Sequence, residues 1–294
     1  MRLRITHSTR YGYRQTVLLS HNVVRLRPRD NSTQIAEHHA LSISPQPSTK
    51  SNGLDYFGNH VTWFNLQEPH SELTITAHSQ VDVNLALRPD VSRSAPWEEV
   101  QRALRDSSTP ALRLARQFSL DSPYVQRAPP FVDYALASFP AGQPYLRCVL
   151  DLTERIHRDF KFLPGSTSVG TPVSEVLRKR QGVCQDFAHL QISCLRSLGL
   201  AARYVSGYIV TTPLPGRPRL SGADVSHAWV SVFAPDFGWL DFDPTNGLMP
   251  SDGHITVAWA RDYDDVGPVR GILIGGRQQE MEVSVDVVPV EDQN

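Results

Sequence analysis

Cysteine is the residue type that decides which chemistry this sequence can hold. There are three, Cys148, Cys184 and Cys194. A thiol attacks only as its thiolate, and the first turn of a helix favours the thiolate, because unpaired N–H groups and the macrodipole attract negative charge there. Cys184 occupies such a place. It opens a segment in which Phe187, Leu190, Cys194, Leu195 and Leu198 fall on one helical face, and Gly199 is a stop signal. Gly182, just before it, leaves room for another segment to approach. Cys148 and Cys194 fall inside predicted helices, where packing accounts for them. Free cysteine is most often a small buried hydrophobe, so Cys184 needs partners before it counts as a nucleophile.

The partners follow downstream. Ser226-His227-Ala228-Trp229-Val230-Ser231-Val232-Phe233 alternates as a strand does, Pro235-Asp236-Phe237-Gly238 is a turn, and Trp239-Leu240-Asp241-Phe242-Asp243 is a second strand stopped by Pro244. In an antiparallel hairpin, His227 and Asp243 lie near the open ends of the two strands, within cross-strand reach. A carboxylate on one imidazole nitrogen fixes the tautomer and stabilises the imidazolium, while the other nitrogen faces the thiol. Thiol on a helix start, then imidazole and carboxylate on a hairpin, is the constellation of a thiol protease. Asp241 points to the same strand face as Asp243, so spacing alone leaves the third position open between them. A metal site from Cys184, His189 and His227 is the weaker reading, since His189 is five residues beyond Cys184 and too far round the helix to share its face. His189 is expected to pack beneath the site or hold a loop.

These residues need elements to position them. Residues 1–90 read as an N-terminal β-sandwich domain: short alternating runs such as Leu73-Thr74-Ile75-Thr76-Ala77 are separated by turns such as Ser51-Asn52-Gly53. His38-His39 in this half cannot share a ligand, because neighbours on a strand point to opposite faces. Residues 91–130 read as a helical connector interrupted at Pro110, and 131–294 as the catalytic core with C-terminal strands. Within the core, Leu146, Val149, Leu150, Ile156 and Phe160 mark an amphipathic helix over roughly 144–160, and Thr171-Pro172 starts another that ends at Arg180-Gln181-Gly182. The loops Leu163–Gly170 and Thr211–Asp224 are expected to border the cleft, and Tyr204, Tyr208, Trp229 and Trp239 either line it or fill the core. The Cys184 N–H is a natural oxyanion donor.

Gly182-Val183-Cys184-Gln185-Asp186-Phe187-Ala188-His189, Ser226-His227-Ala228-Trp229-Val230, Gly238-Trp239 and Phe242-Asp243-Pro244-Thr245-Asn246 together resemble the bacterial transglutaminase-like superfamily. The β-rich N-terminal half and His254-Ile255-Thr256-Val257-Ala258 are similar to the same group, so the likeness spans essentially the whole chain. The resemblance implies an α+β fold, a β-sandwich followed by a papain-like core of helices on an antiparallel sheet. It implies Asp243 rather than Asp241, since the family's acid immediately precedes Pro-Thr-Asn. It also implies a Cys-His-Asp enzyme that acts on peptide or glutamine amide bonds of a peptide or protein substrate. The family includes transferases, proteases and amidases. The alternative function is a non-catalytic peptide-binding module on the same fold, recruiting a partner by strand pairing. Animal transglutaminases need calcium; here no EF-hand-like loop exists, and Asp262-Tyr263-Asp264-Asp265 reads as a solvated turn.

Composition narrows the setting. The chain has 294 residues, 40% hydrophobic and 20% charged, with a net charge of -1. Such a chain builds an ordinary core, and nothing draws it toward nucleic acid or an anionic membrane. Three cysteines without a CxxC spacing make neither a disulfide framework nor a zinc site, and no cofactor is expected. There is no signal-like N-terminus and no membrane span, so a cytoplasmic setting is expected.

Overall fold

The computed structural model describes residues 1–84, 89–210 and 226–290. Its first element is a long strand, β1 (Arg2–Val24), whose core-facing side chains alternate with exposed ones along most of its length. Strands β2 (Gln34–Ser44), β3 (Thr49–Leu54), β4 (His60–Leu66) and β5 (His70–Val83) follow. The register of β1 shifts between Gly12 and Val17. Before the shift it pairs with β5, and after it with β4, through Ser20–Val24. One core lies where Tyr13, Val17 and Val24 meet Phe64 and Leu66 of β4 and Leu73, Ile75 and Ala77 of β5, whereas Leu3 and Ile5 at the start of β1 join the core of the helices and the four-stranded sheet. The sheet thus folds back on itself into two layers, as the alternating runs require.

Helices α1 (Trp97–Asp106), α2 (Pro110–Arg116), α3 (Pro129–Leu136) and α4 (Tyr145–Asp159) lead into the core. Pro110 begins α2 rather than merely breaking a helix, because proline lacks only an N–H that the first turn leaves unpaired anyway. The short strands β6 (Lys161–Phe162) and β7 (Gln181–Gly182) pair in parallel on either side of α5 (Val173–Lys179). Then come α6 (Cys184–Ser197) and a four-stranded antiparallel sheet of β8 (Ala202–Ile209), β9 (Ser226–Ala234), β10 (Gly238–Phe242) and β11 (His254–Ala260), in the order β10-β9-β8-β11.

Three expectations change. The helix at Cys184 is not a one-faced amphipathic helix: every residue from Asp186 to Arg196 is buried, since α6 packs on β8 and β9 on one side and on α3, α4 and α5 on the other. Several of its polar groups are bonded internally, although Gln191 Oε1 and Ser193 Oγ have no partner. Gln191 donates to Thr153 Oγ1 at 2.7 Å, and the Arg196 guanidinium donates to the carbonyls of Leu120, Ala202 and Arg261 and to Ser122 Oγ. Second, the acidic run is not a solvated turn. Asp262 is fully buried and caps a short helix, α7 (Tyr263–Val266), accepting N–H bonds from Asp264 and Tyr124. Third, the C-terminal strands read as part of the 131–294 core do not join the four-stranded sheet. Strands β12 (Val269–Gly275) and β13 (Gln279–Pro289) pair with β1 along its second and first halves. The strand-rich unit read as ending at residue 90 therefore recruits the chain's far end as well, filling the edge of β1 that β5 and β4 leave open.

Gly207 in β8 shows how tightly the four-stranded sheet is built. A Cβ there would lie 2.1 Å from the Ile255 carbonyl oxygen and 2.5 Å from the Trp229 ring. Gly207→Ala is expected to cost about 3 kcal/mol or more by overpacking, readable as a drop in the urea midpoint. A variant as stable as the parent would show that β8 and β11 can separate freely.

Candidate active site

The site is assembled where the start of α6 meets β9 and the end of β10. Cys184 is the first residue of α6 and is partly exposed, whereas Cys148 and Cys194 are buried. Burial pushes the thiols of Cys148 and Cys194 up to about 12, so neither offers a thiolate near neutrality. Asp186, one turn into the helix, folds its carboxylate back to accept the Val183 N–H at 2.8 Å and the Thr167 hydroxyl at 2.6 Å. These bonds tie the 163–170 loop to the helix start. The requirement for glycine at 182 comes from this same carboxylate: a Cβ would sit 2.8 Å from Asp186 Oδ2. The close approach expected at Gly182 is thus made by a side chain of the helix itself. Gly199 ends α6 as expected, with φ of 73°, and Leu200 N–H reaches the Leu195 carbonyl at 3.0 Å.

His227 and Asp243 are brought together. Strand pairing sets Phe242 opposite Val230, which leaves Asp243 just beyond the strand end and diagonal to His227. His227 Nε2 lies 2.7 Å from Asp243 Oδ2. The carboxylate is fully buried and surrounded by N–H donors. Its Oδ1 accepts from the backbones of Thr245 (2.9 Å) and Asn246 (3.2 Å), and its Oδ2 also accepts from Asn246 Nδ2 (2.7 Å). Burial alone would raise the Asp243 pKa, but these bonds outweigh it and hold the carboxyl well below the usual range. An ionised Asp243 draws the His227 proton to Nε2, leaving Nδ1 for the Cys184 thiol. For His227, burial opposes the charge, yet the bonds to Asp243 and Cys184 prevail and the pKa rises to about 10. Such an environment favours imidazolium beside the sulfur.

Asp241 is placed elsewhere. Its Oδ2 accepts the Trp229 indole N–H at 2.9 Å, and the Trp229 ring packs between His227 and His254. Tyr204, Tyr208 and Trp229 are buried, and Trp239 packs on Phe118 and Phe233. His189 holds a loop: its buried Nε2 accepts the Tyr263 N–H at 3.2 Å, its ring stacks on Tyr124, and burial pushes its pKa down to about 3. This engagement removes His189 from the Cys184–His189–His227 metal reading. The loop expected over 211–224 falls outside the described residues.

One participant escaped the sequence. His254, first in β11, puts Nε2 3.0 Å from Asp243 Oδ2, while its Nδ1 accepts the Ser251 N–H at 3.2 Å. An accepting Nδ1 leaves the proton on Nε2, so His254 donates to Asp243. No spacing rule reaches it, since β11 is separated from β9 by β8 in the sheet order; the recurrence of His254 in the family-like stretch was the available signal. The ligand atoms of His227, Asp243 and His254 lie within 4.8 Å of one another, and among the described residues they form the group able to hold a metal. As arranged, both inner imidazole nitrogens point at the carboxylate as donors. His254→Phe is expected to lower kcat about 10- to 100-fold, the worth of one charge-assisted bond, while alkylation of Cys184 persists. An unchanged kcat would reduce His254 to packing.

Known proteins frame this geometry. Residues 3–82 match the bacterial transglutaminase-like N-terminal region, and residues 138–244, which include Cys184, His227 and Asp243, match the transglutaminase-like superfamily. An uncharacterized protein of Mycobacterium tuberculosis is 42% identical over 99% of this chain and 93% of its own length. A protein-glutamine gamma-glutamyltransferase of Pseudomonas aeruginosa is 27% identical over 54% of this chain and 23% of its own. A crystal structure from Cytophaga hutchinsonii, provisionally described as a cysteine protease, superposes with a TM-score of 0.75 at 20% identity, covering 100% of this chain and 92% of that one. That likeness concerns the fold. No helix among the described residues is long and apolar enough to cross a membrane.

Proposed function

Because the chain belongs to the transglutaminase-like superfamily, we propose that it is a cysteine enzyme in which Cys184, His227 and Asp243 cleave a peptide or glutamine amide through a thioester. The observation that carries this reading is the His227–Asp243 bond at 2.7 Å, with the remaining ring nitrogen left to the Cys184 thiol. In the first half-reaction, the Cys184 sulfur attacks the amide carbonyl. The resulting oxyanion meets the unpaired N–H groups of the first turn of α6, and the His227 proton passes to the departing ammonia or amine. In the second, His227 takes a proton from water or an acceptor amine as that nucleophile attacks the thioester carbonyl, and the sulfur leaves as thiolate. Asp243, held ionised by its N–H donors, keeps His227 in the required tautomer throughout.

Which acceptor takes the acyl group is decided by one experiment. Glutamine-containing peptides are incubated with the enzyme, with and without a labelled primary amine, and the products are weighed by mass spectrometry. Gain of the amine marks a transferase, a mass increase of one unit a deamidase, and backbone cleavage a protease. Intact peptides throughout, with binding retained, would overturn the enzymatic reading in favour of a peptide-binding module.

A further inference from the structure

A cavity of about 630 Å³ lies between the loop after β1 and the edge of the catalytic sheet at β10. Its wall holds a stack of alternating cations and indoles. The Arg29 guanidinium lies 3.7 Å over the Trp259 ring, and Arg203 lies 3.8 Å over Trp259 and 4.2 Å over Trp239. Arg29 is anchored, since its Nη1 donates to Asn59 Oδ1 at 2.6 Å and to the Phe57 carbonyl at 3.3 Å. Arg203 lacks such anchors. It is only 8% exposed, and its buried Nε, like that of Arg29, has no hydrogen-bond partner. Burial works against its charge, lowering its pKa to about 9, and Asp241 offsets this only in part. The Asp241 carboxylate that could have answered it instead takes the Trp229 indole.

A buried cation with an unanswered donor is costly unless something completes it. Aromatic stacking supplies attraction to the charge but accepts no N–H along the guanidinium plane. We infer that this cavity binds an apolar monocarboxylate, its carboxylate on Arg203 and its body against Trp239, Leu240 and Met249. The charges on the wall select the class. Asp30 and Asp241 also line the cavity, so a dianionic phosphate meets about twice the repulsion of a single negative charge, which the Arg203 guanidinium can match. The free C-terminus of a peptide ending in a large apolar residue and a small arylalkanoic acid share this chemistry. The site is separate from the thiol and does not depend on the proposed acyl transfer.

Tryptophan fluorescence and calorimetry on the intact protein test the inference, with 3-phenylpropionate, its neutral amide, acetyl-Ala-Phe with a free carboxylate, and phenyl phosphate as probes. At least one of the two carboxylates is expected to bind at least tenfold more tightly than the neutral amide and than phenyl phosphate. Whichever carboxylate binds more tightly identifies the source. Arg203→Gln is expected to erase the preference for acid over amide, and alkylation of Cys184 to leave it intact. The wild-type comparison decides even if that variant misfolds. Equal binding of acid and amide, tighter binding of phenyl phosphate, no binding of either carboxylate at millimolar concentration, or loss of binding on alkylation would each overturn the inference.

Discussion

Cys184→Ala is expected to reduce amide turnover to background, a loss on the order of a millionfold, because removing the nucleophile of a coupled set removes the whole covalent route. The same variant should lose all iodoacetamide labelling of the native protein at neutral pH. The structure makes this a single-site experiment: Cys148 and Cys194 are buried, and burial raises both thiols to about 12, while Cys184 is partly exposed at the helix start. His227→Ala should leave the thiol in place but remove the imidazole beside it, so alkylation at neutral pH should slow. Turnover retained in Cys184→Ala, measured by ammonia release, would rule out the thioester mechanism. Native labelling at Cys148 or Cys194 would mean that the packing around α4 and α6 opens far more readily than its burial implies.

The second large effect concerns the acid. Asp243→Asn is expected to lower kcat by about 10,000-fold, whereas Asp241→Asn should cost less than about tenfold. An amide at position 243 turns one acceptor into a donor, in a pocket where Thr245, Asn246, His227 and His254 already supply only donors. The amide nitrogen must oppose one of them, and the tautomer of His227 is no longer fixed. Asp241 accepts a single indole N–H, and its loss weakens packing rather than proton transfer.

The pair also predicts a pH profile for stability. Asp243 titrates below its ordinary 3.8 in the folded protein, so its contribution is present above that value and is lost as the medium is acidified further. His227 titrates above its ordinary 6.5, so its contribution is complete below 6.5 and fades as pH rises toward about 10. Melting temperatures followed from pH 6 to 10 should fall in the parent and stay flatter in Asp243→Asn. Parallel profiles would show that the ion pair does not govern stability in that range.

Much of the site was legible in the residues, for identifiable reasons. Helix starts and hairpins are local: Pro172, Gly182 and Gly199 punctuate α5 and α6, and period-2 runs joined by Pro235–Gly238 make β9 and β10 neighbours whatever the rest of the chain does. Cys184, His227 and Asp243 could therefore be nominated by spacing, with the family-like Pro-Thr-Asn deciding against Asp241. Local signals cannot report what packs around them. The all-round burial of α6, the internal bonds of Arg196 and the capping role of Asp262 depend on elements far away in sequence.

What the sequence determined by itself, then, is the chemistry on offer and the local geometry of its carriers: a thiol on a helix start, and an imidazole and a carboxylate on adjoining strands. Only the tertiary structure decided which N–H groups converge on Asp243, that His254 is among them, and that β12 and β13 close the N-terminal sheet along β1. The physical reason is one of range. Backbone preferences and periodicity act over a few residues, whereas burial drives most polar atoms to find a partner wherever the fold brings one. Buried Asp243 is ionised because His227 and His254, from other strands, add their donors to the local ones of Thr245 and Asn246.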